Sequence, residues 1–179
     1  MNLIQQACRA GEGDVTVLYT KKSPLNWSPS TYGYLMATNN ACLGLATFVL
    51  LPSLSRFFRL SDITLVAVGL AFKAVRLAML SYGQYTWMIF VAVIVGCPNA
   101  LVVSSSRSLV SKLVAEDEQG KVFSLLSCGE SVASVVGGVV FALVYRNAVG
   151  FMPGLVYLLD CALTVVLLYL VHAARTELG

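Results

Sequence analysis

Residues 122–145, VFSLLSCGESVASVVGGVVFALVY, form an apolar run whose only charged residue is Glu130. A helix that crosses a bilayer needs about 20 mainly apolar residues, because each residue adds about 1.5 Å along the helix axis. The run is long enough for a crossing, and it ends at the polar pair Arg146-Asn147. It therefore predicts a transmembrane α-helix.

Four further runs have the same apolar character. They cover residues 31–54, 63–82, 88–103 with some residues beyond, and 151–171. Only α-helices and closed β-barrels satisfy every backbone hydrogen bond in lipid, and unbroken apolar runs exclude the alternation of a barrel strand. The sequence thus predicts an all-α membrane protein, a helix bundle with about five transmembrane helices.

The chain divides into three predicted parts. Residues 1–30 are a polar N-terminal segment that holds only a short apolar stub, 31–174 are the five-helix transmembrane bundle, and 175–179 are a cytoplasmic tail. The stub, Val15 to Tyr19, is too short to cross a bilayer. We interpret it as the end of a helix whose other residues are missing.

The composition excludes several classes of protein. Hydrophobic residues make up 58% of the 179 residues and charged residues 12%, whereas soluble proteins have about 45–50% apolar and about 25% charged residues. The surplus apolar surface must face lipid or a partner, and lipid is the simpler interpretation; a scattered net charge of +3 does not predict a nucleic-acid surface. Five cysteines without a CxxC pair and the single His172 predict no metal site, no cofactor and no enzyme activity.

The charges of the short loops predict the orientation. Basic residues concentrate on one side of the predicted helices, at Arg56, Arg59, Lys112, Lys121 and Arg175, while Arg146 lies on the other. Cytoplasmic loops are the ones enriched in lysine and arginine, so we expect the first side to be cytoplasmic. Lys21 and Lys22 count against this orientation.

Ionisable residues inside the apolar runs are the first candidates for a functional site. They are Lys73, Arg76, Arg107, Glu130 and Asp160. Each costs about 2.5–3.5 kcal/mol at the centre of a bilayer, so each should have a partner. We expect Lys73 and Arg76 to pair with Asp160 or Glu130. Because three cations face two acids, the sequence predicts a surplus positive charge for an anionic solute or for an acid outside this chain.

Three interpretations of Glu130 stay open. The carboxyl group could carry a coupling proton, it could be the fixed counter-ion of Lys73, Arg76 or Arg107, or it could be a neutral group hydrogen-bonded to Ser127 or Ser134 at a helix contact. Small residues recur at every fourth position around it, at Gly129, Ala133 and Gly137. This pattern predicts that another helix approaches closely beside Glu130.

Two polar interruptions of the apolar runs are further candidates for the functional site. Asn39 and Asn40 are amides that we expect to face the bundle interior. The sequence Gly96-Cys97-Pro98-Asn99 predicts a kink, because proline removes a backbone hydrogen bond. Such a kink could lie beside a cavity or be purely structural.

The loop SKLVAEDEQGKVFS, residues 111–124, resembles the link between helices ten and eleven of major facilitator transporters. More narrowly, it resembles the solute-carrier family of the proton-coupled folate transporter and the thymic stromal cotransporter. Shorter stretches agree: SPLNW at 23–27, YGY at 32–34, VGLAF at 68–72, and Phe151-Met152. The resemblance implies a bundle of twelve helices in two halves, with solute held between the halves near the midplane. The five predicted helices would be helices eight to twelve, in a fragment without the N-terminal half.

The resemblance also bears on single residues. The family carries an arginine at the position of Arg107, with the same spacing before SKLV, which implies a place in the translocation pathway. The alternative is an arginine that reaches the cytoplasmic interface. Asn40 stands where the folate transporter has a histidine, which implies that a proton role is lost there. No such parallel supports Lys73, Arg76 or Glu130.

The expected function follows from this resemblance. The full-length protein is expected to move a small organic, anionic, folate-like solute by alternating access, coupled to protons. The expected location is the plasma membrane or an endolysosomal membrane. The alternative is a truncated fragment that does not transport and acts through helix–helix interaction.

Overall fold

The computed structural model describes residues 2–21, 25–50, 52–53, 62–83, 85–150, 152 and 154–178, with side chains described up to residue 173 in the last range. The predicted basic turn at Arg56 and Arg59 lies outside these residues, as do Lys22, Phe151 and the side chain of Arg175.

All regular elements in the described ranges are helices. They are α1 (Asn2–Lys21), α2 (Pro29–Leu45), a π-helical continuation of α2 (Ala46–Leu50), α3 (Asp62–Ser81), α4 (Thr86–Val95), a 3-10 turn (Cys97–Asn99), α5 (Ala100–Leu113), α6 (Gln119–Ala148) and α7 (Leu155–Leu178). The predicted all-α fold class is therefore confirmed. The domain boundaries at residues 30 and 174 stay predictions.

The N-terminal segment differs from its prediction. In place of a polar segment with a stub at 15–19, residues Asn2–Lys21 form one continuous helix. One face of α1 is buried, with Cys8, Gly11 and Val15 among its buried residues. The packing of this face stabilises a helix whose mixed composition would not form one alone.

In the part of the chain that the structure describes, three helices are long and apolar enough to cross a membrane: α3, α6 and residues Leu155–Ala173 of α7. The pair α4 and α5 makes a fourth candidate if the bent pair counts as one crossing. The predicted first crossing, 31–54, is not among these candidates, because α2 has only 17 residues before its π-helical continuation. That crossing stays a prediction.

The predicted kink lies where the proline is. The helix axis bends by 42° between α4 and the segment Cys97–Leu113. The 3-10 turn Cys97–Asn99 separates the two helices. Within it, the backbone N–H of Asn99 donates a hydrogen bond to the backbone carbonyl of Gly96, at 3.0 Å. The break places Gly96 and Asn99 beside α3 and α1, next to the cavities described below.

Helices α1 and α6 pack with almost no space between them. A Cβ atom at Gly137 would collide with the backbone of Ala7, and one at Gly11 would collide with the ring of Phe141. A Cβ atom at Gly129 would lie only 2.9 Å from the nearest side-chain carbon of Leu3. The predicted close approach of another helix beside Glu130 is confirmed, and that helix is α1.

Candidate functional site

Two of the cavities between the described helices have charged side chains in their walls, and α1 contributes to both. The larger cavity, of about 280 Å³, lies between α1, α2, α3 and α4. The smaller cavity, of about 240 Å³, lies between α1, α5 and α6. Gln5, Arg9 and Asn99 line both cavities, so the two spaces share a wall.

The ion pair between Lys73 and Asp160 joins α3 to α7. Lys73 Nζ lies 3.2 Å from Asp160 Oδ1, and the two side chains are 2% and 1% exposed. Thr164 donates a second hydrogen bond to Asp160, at 3.4 Å, and Lys73 also donates to Gln5 Oε1 at 3.2 Å. Pairing of Lys73 with Asp160 was one of the predicted alternatives, and it is confirmed. Such burial requires both partners, because an unpaired charge in this place would be very costly.

Arg76 pairs with Glu12, an acid that sequence reasoning did not include. The guanidinium of Arg76 on α3 contacts the carboxylate of Glu12 on α1, and both side chains are mostly buried. The predicted pairing of Arg76 with Asp160 or Glu130 is therefore wrong. The predicted surplus charge on Lys73, Arg76 or Arg107 is also corrected, because Glu12 supplies the missing third acid.

Arg107 and Glu130 form an ion pair between α5 and α6. Arg107 Nη2 lies 3.2 Å from Glu130 Oε2, and the side chains are 53% and 18% exposed. The predicted serine contact takes another form, because the Ser134 hydroxyl donates to the backbone carbonyl of Glu130, at 2.9 Å, and not to its carboxylate. Both charged residues line the smaller cavity.

The predicted site residues therefore divide between the two cavities. Asn40, Lys73 and Arg76 line the larger cavity, together with Asn39. Arg107 and Glu130 line the smaller one. Asp160 is fully buried and lines neither cavity. It is connected to the larger cavity through its ion pair with Lys73. The structure brings these residues to one region of the bundle; their roles in transport stay predictions.

Sequence reasoning missed the polar face of α1. Gln5, Arg9 and Glu12 all line the larger cavity. Their spacing of four and then three residues places them on one side of a helix, and this periodicity was the available signal. Taking residues 1–30 as an irregular polar segment concealed it.

The arginines that line the two cavities have the donors to bind an anion, and an anion could replace the carboxylate that each paired arginine now contacts. Each guanidinium offers several N–H donors in a planar fork that matches a carboxylate. The three ion pairs each join two different helices, so a ligand that competes for one partner would also loosen a helix contact. A fourth pair, between Lys112 and Asp62, joins the end of α5 to the start of α3.

Comparison with known proteins extends these observations. Residues 15–178 match the family model described as Major Facilitator Superfamily. The chain is 29% identical over 153 residues to the rat (Rattus norvegicus) protein named proton-coupled folate transporter, over 86% of the chain and 33% of that protein. It is 25% identical over 162 residues to mouse (Mus musculus) solute carrier family 46 member 2, over 90% of the chain and 33% of that protein.

A third relative is the human (Homo sapiens) protein named lysosomal proton-coupled steroid conjugate and bile acid symporter. The chain is 28% identical to it over 153 residues, over 86% of the chain and 32% of that protein. The chain thus spans about a third of the length of the curated relatives it matches.

Proposed function

The chain belongs to the Major Facilitator Superfamily, and from this premise we propose that it is the C-terminal part of a transporter that moves a small organic anion by alternating access. The protein is then a multi-pass membrane protein. The N-terminal half of the full-length transporter is the proposed partner that completes the solute site. The proposed solute is folate-like, and the proposed location is the plasma membrane or an endolysosomal membrane.

The observation that carries the proposal is the convergence of charged side chains on two cavities in an otherwise apolar bundle. Charged residues within transmembrane helices are rare, and they mark solute or ion pathways. Here Arg9, Lys73 and Arg76 line the larger cavity and Arg107 the smaller one. Glu12 and Glu130 line the same cavities and Asp160 lies behind Lys73, so the cations exceed the acids by one, and this excess favours an anionic solute.

Proton coupling is proposed through Glu130. A proton on its carboxylate would remove the negative charge that holds Arg107, at 3.2 Å in the ion pair. The freed guanidinium could then bind a carboxylate of the solute. Proton binding and solute binding would thereby favour each other, as a symporter requires. The relatives named as proton-coupled support this choice of ion.

Uptake into proteoliposomes tests the proposal. The full-length protein is reconstituted, and entry of tritiated folate and of tritiated taurocholate is followed with and without an inward proton gradient. We expect the gradient to accelerate the uptake of one or both probes, and a protonophore to abolish the acceleration. Uptake that equals that of empty liposomes under every gradient would reject the proposed transport and favour the alternative of a non-transporting, helix-packing protein.

A further inference from the structure

Arg9 is a cation of the site that interacts electrostatically with Glu12 and Glu130 but forms no ion pair with a carboxylate among the described residues. Lys73, Arg76 and Arg107 each form an ion pair, whereas Arg9 forms none with any residue that the structure describes. Its nearest acids in sequence do not change this: Glu12 is held by Arg76, and Asp14 lies against Gly138 of α6. Arg9 nevertheless lines both cavities.

Two buried hydrogen-bond donors in the same region also lack a partner among the described residues. They are Nε2 of Gln5 and Nε of Arg76. The orientation of the Gln5 amide follows from its neighbour, because its oxygen accepts from the Lys73 ammonium at 3.2 Å and a flipped amide would place two donors together. A buried donor without an acceptor is costly, so the wall beside Arg9 is polar and short of acceptors, although both atoms are too enclosed to contact a ligand themselves.

The charges around the two cavities leave one positive charge over. The cations are Arg9, Lys73, Arg76 and Arg107, and the acids that pair with three of them are Glu12, Glu130 and Asp160. Four cations minus three acids leaves a net charge of +1. A ligand with one carboxylate would neutralise this charge, whereas a neutral ligand would leave it unpaired.

We infer that Arg9, which is exposed to both cavities, is the binding residue for one carboxylate of the solute, in the wall that the two cavities share. The guanidinium of Arg9 would bind the carboxylate through two parallel N–H donors. The inference rests on the proposed function, because it names a binding subsite for the proposed solute.

A matched pair of probes tests this site in the purified chain. Indole-3-acetate and indole-3-acetamide have nearly the same shape and differ in charge, and their binding to the full chain in lipid nanodiscs is measured by calorimetry. We expect the wild-type chain to bind the acetate at least about tenfold more tightly than the acetamide, because hydrogen bonds to charged groups are the stronger ones. Arg9→Gln should remove this preference and leave acetamide binding unchanged.

Two further variants separate the site from a general effect of charge. Lys21→Gln removes a cation from the same helix, outside both cavities, and should keep the preference for acetate. Arg9→Lys should retain part of it, because an ammonium keeps the charge but lacks the planar fork. The inference is overturned if wild type and Arg9→Gln show the same ratio of affinities, or if wild type binds neither probe at millimolar concentration.

The outcome is distinguishable from failure of the proposed function. Binding of the acetate that depends on Arg9, in a protein without uptake into proteoliposomes, would keep the subsite and reject transport. Uptake driven by protons in a protein whose Arg9→Gln variant prefers acetate as wild type does would keep transport and reject the subsite.

Discussion

At the residue scale, the ion pairs differ most in their exposure to solvent. Lys73 and Asp160 are 2% and 1% exposed, whereas the side chain of Arg107 is 53% exposed. Removing one partner of a fully buried ion pair strongly destabilises the protein, because the other charge stays buried and unpaired. A half-exposed charge is hydrated, so it can change partners at little cost. The first pair is thus suited to holding α3 against α7, and the second to exchange with a solute or a proton.

Replacing Arg107 should impair uptake by the full-length protein. We expect Arg107→Ala to lower uptake by about tenfold or more and Arg107→Lys to restore only part of it, because a planar fork binds a carboxylate through two hydrogen bonds. Uptake at equal surface expression is the measurement, and Arg146→Ala, outside both cavities, is the control. Wild-type uptake by the alanine variant would support an interfacial role for Arg107.

Replacing Glu130 with glutamine should separate proton coupling from folding. The amide keeps the shape of the carboxyl but cannot titrate, so uptake should lose its dependence on pH. The amount of folded protein should stay near that of wild type, because the stranded Arg107 is 53% exposed. Uptake is measured across a range of pH. An unchanged pH profile would exclude Glu130 as the coupling residue.

Removing the acid of the buried pair should destabilise the protein strongly. Asp160→Asn strands the Lys73 ammonium, which is 2% exposed, and such a loss costs about 3–5 kcal/mol. Asp62→Asn is the matched control, because its partner Lys112 is 66% exposed and the expected cost is about 0–1 kcal/mol. Thermal unfolding in detergent measures both. Equal shifts of the two midpoints would contradict the assignment of Lys73 and Asp160 as a structural pair.

At the scale of elements, the contact between α1 and α6 determines where the site forms. Small residues let the two helices approach, with Gly137 against Ala7 and Gly11 against Phe141. This approach presents the polar face of α1 to α3 and α5, where Glu12 contacts Arg76. Without α1 both cavities would lose a wall.

A methyl group at this contact should therefore weaken the fold. Gly137→Ala places a Cβ against the backbone of Ala7, which cannot move as a side chain can, and overpacking of this kind costs about 1–3 kcal/mol. Gly44→Ala is the control, because no described atom lies within 4 Å of that Cβ position; alanine should be neutral or stabilise the helix there. The midpoint of thermal unfolding compares the two. A Gly137→Ala variant as stable as wild type would show that α1 can shift away from α6.

At the scale of the whole molecule, the bundle has charged contacts at one end as well as in its interior. Lys112, near the end of α5, pairs with Asp62 at the start of α3, so these two helix ends lie at the same end of the bundle. The loop with Glu116, Asp117 and Glu118 follows α5 directly. The loop charges predict that this end is cytoplasmic.

Topology mapping tests this orientation. A tag in the loop at 116–119 and a tag at the C-terminus should both be accessible only from the cytoplasm. A glycosylation acceptor placed near Asn147, at the opposite end of α6, should be modified in the lumen of the endoplasmic reticulum. Glycosylation of an acceptor in the acidic loop would invert the predicted topology.

The amino-acid sequence by itself determined the membrane class, the helical fold class and the kink at Pro98. These properties depend on local chemistry: apolar side chains partition into lipid, and proline lacks the backbone N–H donor that a continuous helix needs. The candidate residues Lys73, Arg76, Arg107, Glu130 and Asp160 were likewise visible, because a charge within an apolar run is itself a signal.

Only the tertiary structure decided which cation forms an ion pair with which acid. Arg76 pairs with Glu12, 64 positions away, because α1 packs through its small residues against α6 and turns its polar face toward α3. The same packing stabilises α1 as a helix and places Arg9 in the wall of both cavities without an ion pair among the described residues. Ion pairs act over a few ångströms, so the relative placement of helices, which no single stretch of sequence encodes, determines the chemistry of the site.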